Sequence, residues 1–133
     1  AVLKNWKENN KGAHKVMCMG NKEELDIVME SLTLAFPDEL HLYRSKDTYI
    51  EIASKEISKL TGINTLLKNS YSNLSLENCI AFGDNYNDIE MLAAVKMGVA
   101  VQNAKKEVLA IANDVTDTNH NDGVAKALEK HLS

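Results

Sequence analysis

The chain lacks the features that mark membrane, secreted and nucleic-acid-binding proteins. No apolar run approaches the roughly 18 residues that a membrane span needs, and no signal-like segment opens the 133-residue sequence. The net charge is −4 and the 15 Lys and Arg residues are scattered rather than striped. This distribution argues against nucleic acid or an anionic membrane surface as the main partner. We therefore expect a cytoplasmic protein with neither of these partners.

Cysteine is also scarce, with Cys18 and Cys79 each inside an apolar run and no metal-type spacing. The pattern indicates two buried thiols in a reducing compartment rather than a disulfide or a metal pair. Internal repeats and low-complexity tracts are absent. No Gly-x-Gly-x-x-Gly follows any predicted strand, which disfavours a nucleotide-binding α/β domain.

Residues 1–53 have the pattern of a small antiparallel α+β unit. Lys15–Met19 suits a strand, and Asn21 with Glu24 predicts a capping box before an amphipathic helix that Pro37 closes. Alternating apolar residues near positions 40–42 and 50–52, with a turn at 45–47 between them, indicate a hairpin.

Residues 54–133 change to strands that alternate with helices. A helix capped by Ser58 precedes the continuous apolar strand Cys79–Phe82, and further strands are predicted at Gly98–Val101 and near Val115. The pattern predicts an α/β fold with a doubly wound parallel sheet. We therefore expect two domains, 1–53 and 54–133.

The chemically informative segment is the run Ala-Phe-Gly-Asp-Asn-Tyr-Asn-Asp at residues 81–88. Ligands gather at the carboxyl ends of strands in open α/β sheets. Asp84 at the strand tip and Asp88 one turn later are predicted to share one site, and clustered oxygen ligands suit Mg²⁺. Asn87 can offer an amide donor to a phosphate oxygen.

Two other interpretations of this segment are possible. Asp and Asn are common cap and turn residues, so the run could be only a well-capped turn. An EF-hand fits poorly, because Tyr86, Ile89 and Val95 occupy the positions that need Asp or Asn, Gly and Glu.

Lys59 is the second candidate. It falls in the first turn of a predicted helix, where a cation opposes the helix dipole at a cost of a few tenths of a kcal/mol. A solvated surface lysine is the ordinary explanation for such a residue. An anion nearby would compensate the unfavourable position.

Together, Ile-Ser-Lys at residues 57–59 and the run at residues 81–88 resemble the third and fourth motifs of the haloacid dehalogenase superfamily. The closer resemblance is to its Cof-type sugar-phosphate phosphatases with an α/β cap, and it extends through residues 98–104 and 121–125. The resemblance implies Asp84 as a Mg²⁺ ligand, Asp88 as a direct or indirect metal-site carboxylate, Asn87 as a phosphate contact and Lys59 as a catalytic, phosphate-binding lysine. It also implies that residues 1–53 are the second half of the cap. Leu60 follows the lysine where the family often has Gly.

The family's Asp-x-Asp motif, whose first Asp attacks phosphorus, is absent from the sequence. The nearest run, Asp117-Thr118-Asn119, lacks the second Asp. The resemblance therefore covers a C-terminal half, and we expect the chain alone to be inactive. The first residue, Ala1, suggests truncation or initiator processing. Without the nucleophile strand an apolar sheet edge would be exposed, which predicts self-association or pairing with an N-terminal half.

The function implied by this resemblance is Mg²⁺-dependent hydrolysis of small phosphate esters. A phosphotransferase or phosphomutase would use the same groups, and a non-catalytic phosphate- or metal-binding fragment is a further alternative. The sequence does not identify the phosphorylated substrate.

Overall fold

The computed structural model describes residues 13–132 and divides the chain into two compact units, Ala1–Lys55 and Glu56–Ser133. The boundary predicted from sequence lies between residues 53 and 54. None of the described helices is long and apolar enough to cross a membrane.

The first unit is an antiparallel sheet with one helix. Its elements are β1 (Val16–Met19), α1 (Lys22–Ala35), β2 (Leu40–Lys46) and β3 (Tyr49–Ser54). The strand order is β1-β3-β2 with both pairings antiparallel, as the alternating pattern predicts. The capping box is also confirmed, because the Asn21 side chain accepts from the Glu24 N–H while the Glu24 carboxylate accepts from the Asn21 N–H.

The predicted turn at residues 45–47 is placed too early. Strand β2 continues to Lys46 with a register shift between Arg44 and Lys46, and the turn itself is formed by residues 47 and 48. An irregularity of this kind accommodates an extra residue without ending the strand. Alternation of apolar residues does not reveal it.

The second unit alternates helices with parallel strands. Its elements are α2 (Lys59–Ser70), β4 (Ile80–Gly83), α3 (Ile89–Ala94), β5 (Met97–Val101), α4 (Lys106–Ile111), β6 (Asp114–Thr116) and α5 (Gly123–Leu132). Short 3-10 turns occupy Leu76–Asn78, Tyr86–Asp88 and Asn119–Asn121. The strand order is β4-β5-β6, all parallel, which confirms the α/β prediction.

The core of this unit forms where α3 and α4 pack against the sheet. Leu92, Val99 and Val108 have no solvent-exposed surface, and such burial of apolar side chains is the main stabilising term in folding. The core fixes where each strand ends, and therefore where the loops at the carboxyl edge begin.

Both cysteines are free thiols, as expected, but the prediction that they are buried is wrong. Cys18 and Cys79 are each partly exposed. Cys18 lies in β1, an edge strand of its sheet. Cys79 directly precedes β4, and its Sγ donates to the Ser75 carbonyl.

Candidate functional site

The candidate residues of the second unit gather at the carboxyl end of β4. The strand ends at Gly83, the chain passes through the 3-10 turn Tyr86–Asp88, and α3 begins at Ile89. Lys59 is the first residue of α2. Two separate segments of sequence therefore supply the site.

Asp88 is a buried carboxylate whose two oxygens both have hydrogen-bond partners. Its side chain is 1% exposed. Oδ2 accepts from the backbone N–H of Asp84 at 2.9 Å and of Asn85 at 3.1 Å, and Oδ1 accepts from the Lys59 ammonium. A buried charge needs such partners, since an unpaired one would be strongly destabilising.

The pKa of Asp88 reflects two opposing influences. Burial raises it, because a low-dielectric environment disfavours the charged form. The hydrogen bonds from Lys59 and from the N–H groups of Asp84 and Asn85 lower it by more, so the pKa lies below its ordinary value. The carboxylate is therefore ionised at neutral pH.

Lys59 is held at the start of α2 by local structure. The Ser58 side chain accepts from the Thr61 N–H, and the Thr61 hydroxyl accepts from the Ser58 N–H, which completes a capping box. The Lys59 side chain is 49% exposed, so its ammonium pairs with a buried carboxylate while part of the side chain remains open to solvent. The Asp88 carboxylate is therefore the nearby anion that compensates for the unfavourable position of Lys59 at the start of a helix.

Asp84 differs from Asp88 in both exposure and bonding. The residue is exposed, and its carboxylate has no hydrogen bond or ion pair with any of residues 13–132. Its backbone is fixed on both sides, because the N–H donates to Asp88 and the carbonyl accepts from the Lys105 N–H at 2.9 Å. The backbone of Asp84 is therefore fixed, whereas its carboxylate has no partner within residues 13–132.

The sequence-predicted set is thus brought partly together. Lys59 and Asp88 are in direct contact, and Asp84 is joined to Asp88 through its N–H. Asn87 lies in the same turn, partly buried. Sequence reasoning missed Lys105, and a contact made through a backbone N–H leaves no side-chain signature that could have revealed it.

These residues fit Mg²⁺ as one part of a coordination sphere. No group of three or more His, Cys, Asp or Glu side chains suited to a metal occurs in the described part of the chain. Mg²⁺ is commonly held by one or two carboxylates, with water and substrate phosphate completing its six ligands. Asp84 would supply one such carboxylate, whereas both oxygens of Asp88 already accept hydrogen bonds from the loop and from Lys59.

The sequence matches the haloacid dehalogenase-like hydrolase family over residues 2–128. One curated relative is the 5-amino-6-(5-phospho-D-ribitylamino)uracil phosphatase YcsE of Bacillus subtilis, 38% identical over 90 residues that cover 68% of this chain and 35% of the relative.

Two solved structures are similar over nearly the whole chain. A haloacid dehalogenase-like hydrolase from Bacteroides thetaiotaomicron has a TM-score of 0.79 at 30% identity, covering 96% of this chain and 47% of that one. A subclass IIB sugar phosphatase has a TM-score of 0.77 at 28% identity, covering 93% and 45%.

The chain spans less than half the length of each of these relatives. The match nevertheless includes both units and all four candidate residues. The chain belongs to the haloacid dehalogenase-like hydrolase family, in the Cof-type branch that its motifs indicate.

Proposed function

We propose that this chain supplies the Mg²⁺- and phosphate-holding half of a phosphatase site that hydrolyses small phosphate esters such as sugar phosphates. The reaction proceeds through an aspartyl-phosphate whose nucleophile lies outside this chain, since the sequence contains no Asp-x-Asp. The observation that carries the proposal is the contact between the Lys59 ammonium and the Asp88 carboxylate, which also accepts from the backbone N–H of Asp84.

The roles follow from the demands of phosphoryl transfer, which are mainly positioning and charge neutralisation. Asp84 is the residue that would hold Mg²⁺, which would supply charge stabilisation to the phosphoryl group. Asp88 orients Lys59 and the loop. The ammonium of Lys59, whose side chain is 49% exposed, stabilises negative charge on the phosphoryl group, and the Asn87 amide donates to one of its oxygens.

The substrate class rests on the relatives. One is a phosphatase of a phosphorylated ribitylaminouracil, and one similar structure is that of a sugar phosphatase. Both substrates are small, polyhydroxylated phosphate esters. We infer the same class for the protein that contains this chain.

The test is hydrolysis of p-nitrophenyl phosphate by the 133-residue chain and by a polypeptide in which an Asp-x-Asp-bearing N-terminal half precedes it. The chain alone should release no phosphate above the buffer rate. The longer polypeptide should turn over with Mg²⁺ and lose activity with EDTA. Lys59→Met should lower its kcat by about 100- to 1,000-fold, the usual cost of removing a group that stabilises transition-state charge.

Lys68→Met is the matched control, because Lys68 lies in the last turn of the same helix. It should leave kcat unchanged. Turnover by the chain alone that survives Asp84→Ala, or equal activity of Lys59→Met and Lys68→Met, would refute the proposal.

A further inference from the structure

We propose that the backbone N–H of Lys105 is a positioning group: by ordering the Asp84 backbone, it positions the Asp84 carboxylate for binding a metal ion. The inference rests on the proposed function in one respect, namely that Asp84 binds the metal ion. The structural part concerns the peptide group of Asp84 and is independent of that role.

The pairing of β4 with β5 ends before Asp84. The last register pair is Gly83 with Ala100, so Asp84 lies one residue beyond the ladder. Strand β5 ends at Val101, and a turn in which the Ala104 N–H donates to the Val101 carbonyl returns the chain towards β4. The Lys105 N–H then donates to the Asp84 carbonyl at 2.9 Å.

Lys105 is itself anchored to the core. Its carbonyl accepts from the N–H groups of Val108 and Leu109, each at 3.0 Å, and Val108 is fully buried. The Lys105 side chain is exposed, and its Nζ lies 5.9 Å from the centre of the Tyr86 ring. The rigid contact is therefore the backbone one, whereas the side-chain contact lies at the surface.

These bonds fix both peptide groups that flank the Asp84 side chain. The Asp84 N–H donates to Asp88 and the Asp84 carbonyl accepts from Lys105, while the carboxylate has no partner in the part of the chain that the structure describes. A metal-binding residue whose backbone is already ordered loses less entropy when it binds the ion. The Lys105 N–H should therefore raise the affinity of Asp84 for a cation without contacting the cation.

The test removes the N–H of residue 105 without forcing a new φ angle at that residue. Lys105 has a φ of −61°, close to the angle that proline imposes, so Lys105→Pro removes the N–H and leaves this angle allowed. Lys105→Ala removes the side chain and keeps the N–H. Lys106→Pro is the matched control, because proline is favoured at the first position of a helix, where the N–H is not needed.

Amide hydrogen exchange in the 133-residue chain is the first measurement. Lys105→Pro should reduce protection of the Asp84 and Asn85 amides by about fivefold, as expected for the loss of one hydrogen bond. Protection of the Val108 and Leu109 amides should be retained. Lys105→Ala and Lys106→Pro should match the unsubstituted chain throughout.

Binding of Mn²⁺, read from paramagnetic broadening of the same amides, is the second measurement. Its dissociation constant should rise about fivefold in Lys105→Pro alone. Unchanged protection at Asp84, equal losses in Lys105→Ala, or losses at Val108 that accompany those at Asp84 would overturn the inference. Mn²⁺ binding that is absent, or unaffected by Asp84→Asn, would instead overturn the proposed function, while the exchange data still decide the role of Lys105.

Discussion

At the scale of single residues, the end of β4 depends on the absence of a side chain at Gly83. A Cβ built there would lie 2.5 Å from Asp88 Cβ and 2.9 Å from Leu92 Cδ1. Because these atoms belong to a buried carboxylate and a fully buried leucine, Gly83→Ala should lower the free energy of unfolding by about 1–3 kcal/mol. It should also displace Asp88 from its backbone donors.

Gly62 offers the matched comparison. It lies inside α2, and a Cβ added there meets nothing within 4 Å. Gly62→Ala should therefore raise the free energy of unfolding by about 0.5–1 kcal/mol, because alanine loses less backbone entropy in a helix. Urea titration of both variants checks the pair, and equal effects at the two positions would contradict the close approach of Asp88 to Gly83.

The two acidic residues of the motif, Asp84 and Asp88, differ in exposure and in hydrogen bonding. The spacing of Asp84 and Asp88 predicts one shared site, and the family resemblance leaves open whether Asp88 contacts the metal directly. In the structure Asp84 is exposed and its carboxylate has no partner among the described residues, whereas Asp88 is buried and both of its oxygens accept hydrogen bonds. Substitution of Asp88 should therefore disturb the whole loop, and substitution of Asp84 should affect ligand binding alone.

At the scale of elements, ion pairs join α5 to the segment around β6. Asp114 accepts from Lys130 and contacts His131, and Asp117 accepts from Lys126. The hydrogen bond from Lys130 is the main cause that lowers the pKa of Asp114 to about 2, and the bond from Lys126 does the same for Asp117, also to about 2.

The sign of the pH dependence follows from these shifts. Both pKa values are lower in the folded chain than the ordinary 3.8, so the stabilisation is present in full above about pH 4 and is lost as the pH falls towards 2. The free energy of unfolding should fall over that range. Asp114→Asn and Asp117→Asn together should flatten the fall and lower stability at neutral pH.

Asp122→Asn is the control for this experiment. Asp122 adopts a left-handed conformation with φ of 56°, which asparagine tolerates equally well, so the substitution removes one carboxylate charge without altering the backbone. Urea titrations at successive pH values would measure all the variants. An unchanged acid slope in the double variant would show that these pairs do not couple to unfolding.

At the scale of the whole molecule, β4 is an edge strand of the described sheet. Unpaired N–H and C=O groups on an edge strand favour pairing with another chain. We therefore predict that the 133-residue chain associates as its concentration rises, measured by sedimentation velocity over a dilution series.

Lysine on an edge strand opposes such pairing. Ile80→Lys in β4 should reduce association, whereas Met17→Lys in β1, an edge strand of the other sheet, should not. Circular dichroism checks that each variant is folded. A folded monomer at every concentration would refute the prediction.

Much of the fold follows from local sequence patterns. Asn21 and Ser58 begin their helices as cap residues, because the groups that satisfy the first N–H donors lie within three residues of them. The unbroken apolar run that ends at Phe82 indicated a parallel strand, and β4 is parallel to β5, although Ala81 is the one buried residue within it. The register shift near Arg44 and the partial exposure of Cys79 escaped prediction because they depend on neighbouring strands and loops.

Local features of the sequence indicated the candidate residues, because Gly-Asp-Asn-x-Asn-Asp follows a strand and a lysine stands at a helix start. Tertiary structure alone decided which carboxylate remains free, that Lys59 reaches Asp88, and that the Lys105 N–H holds Asp84. The physical reason is that burial and hydrogen-bond partners depend on packing between segments that are distant in sequence. That packing is set by the whole core, not by the motif.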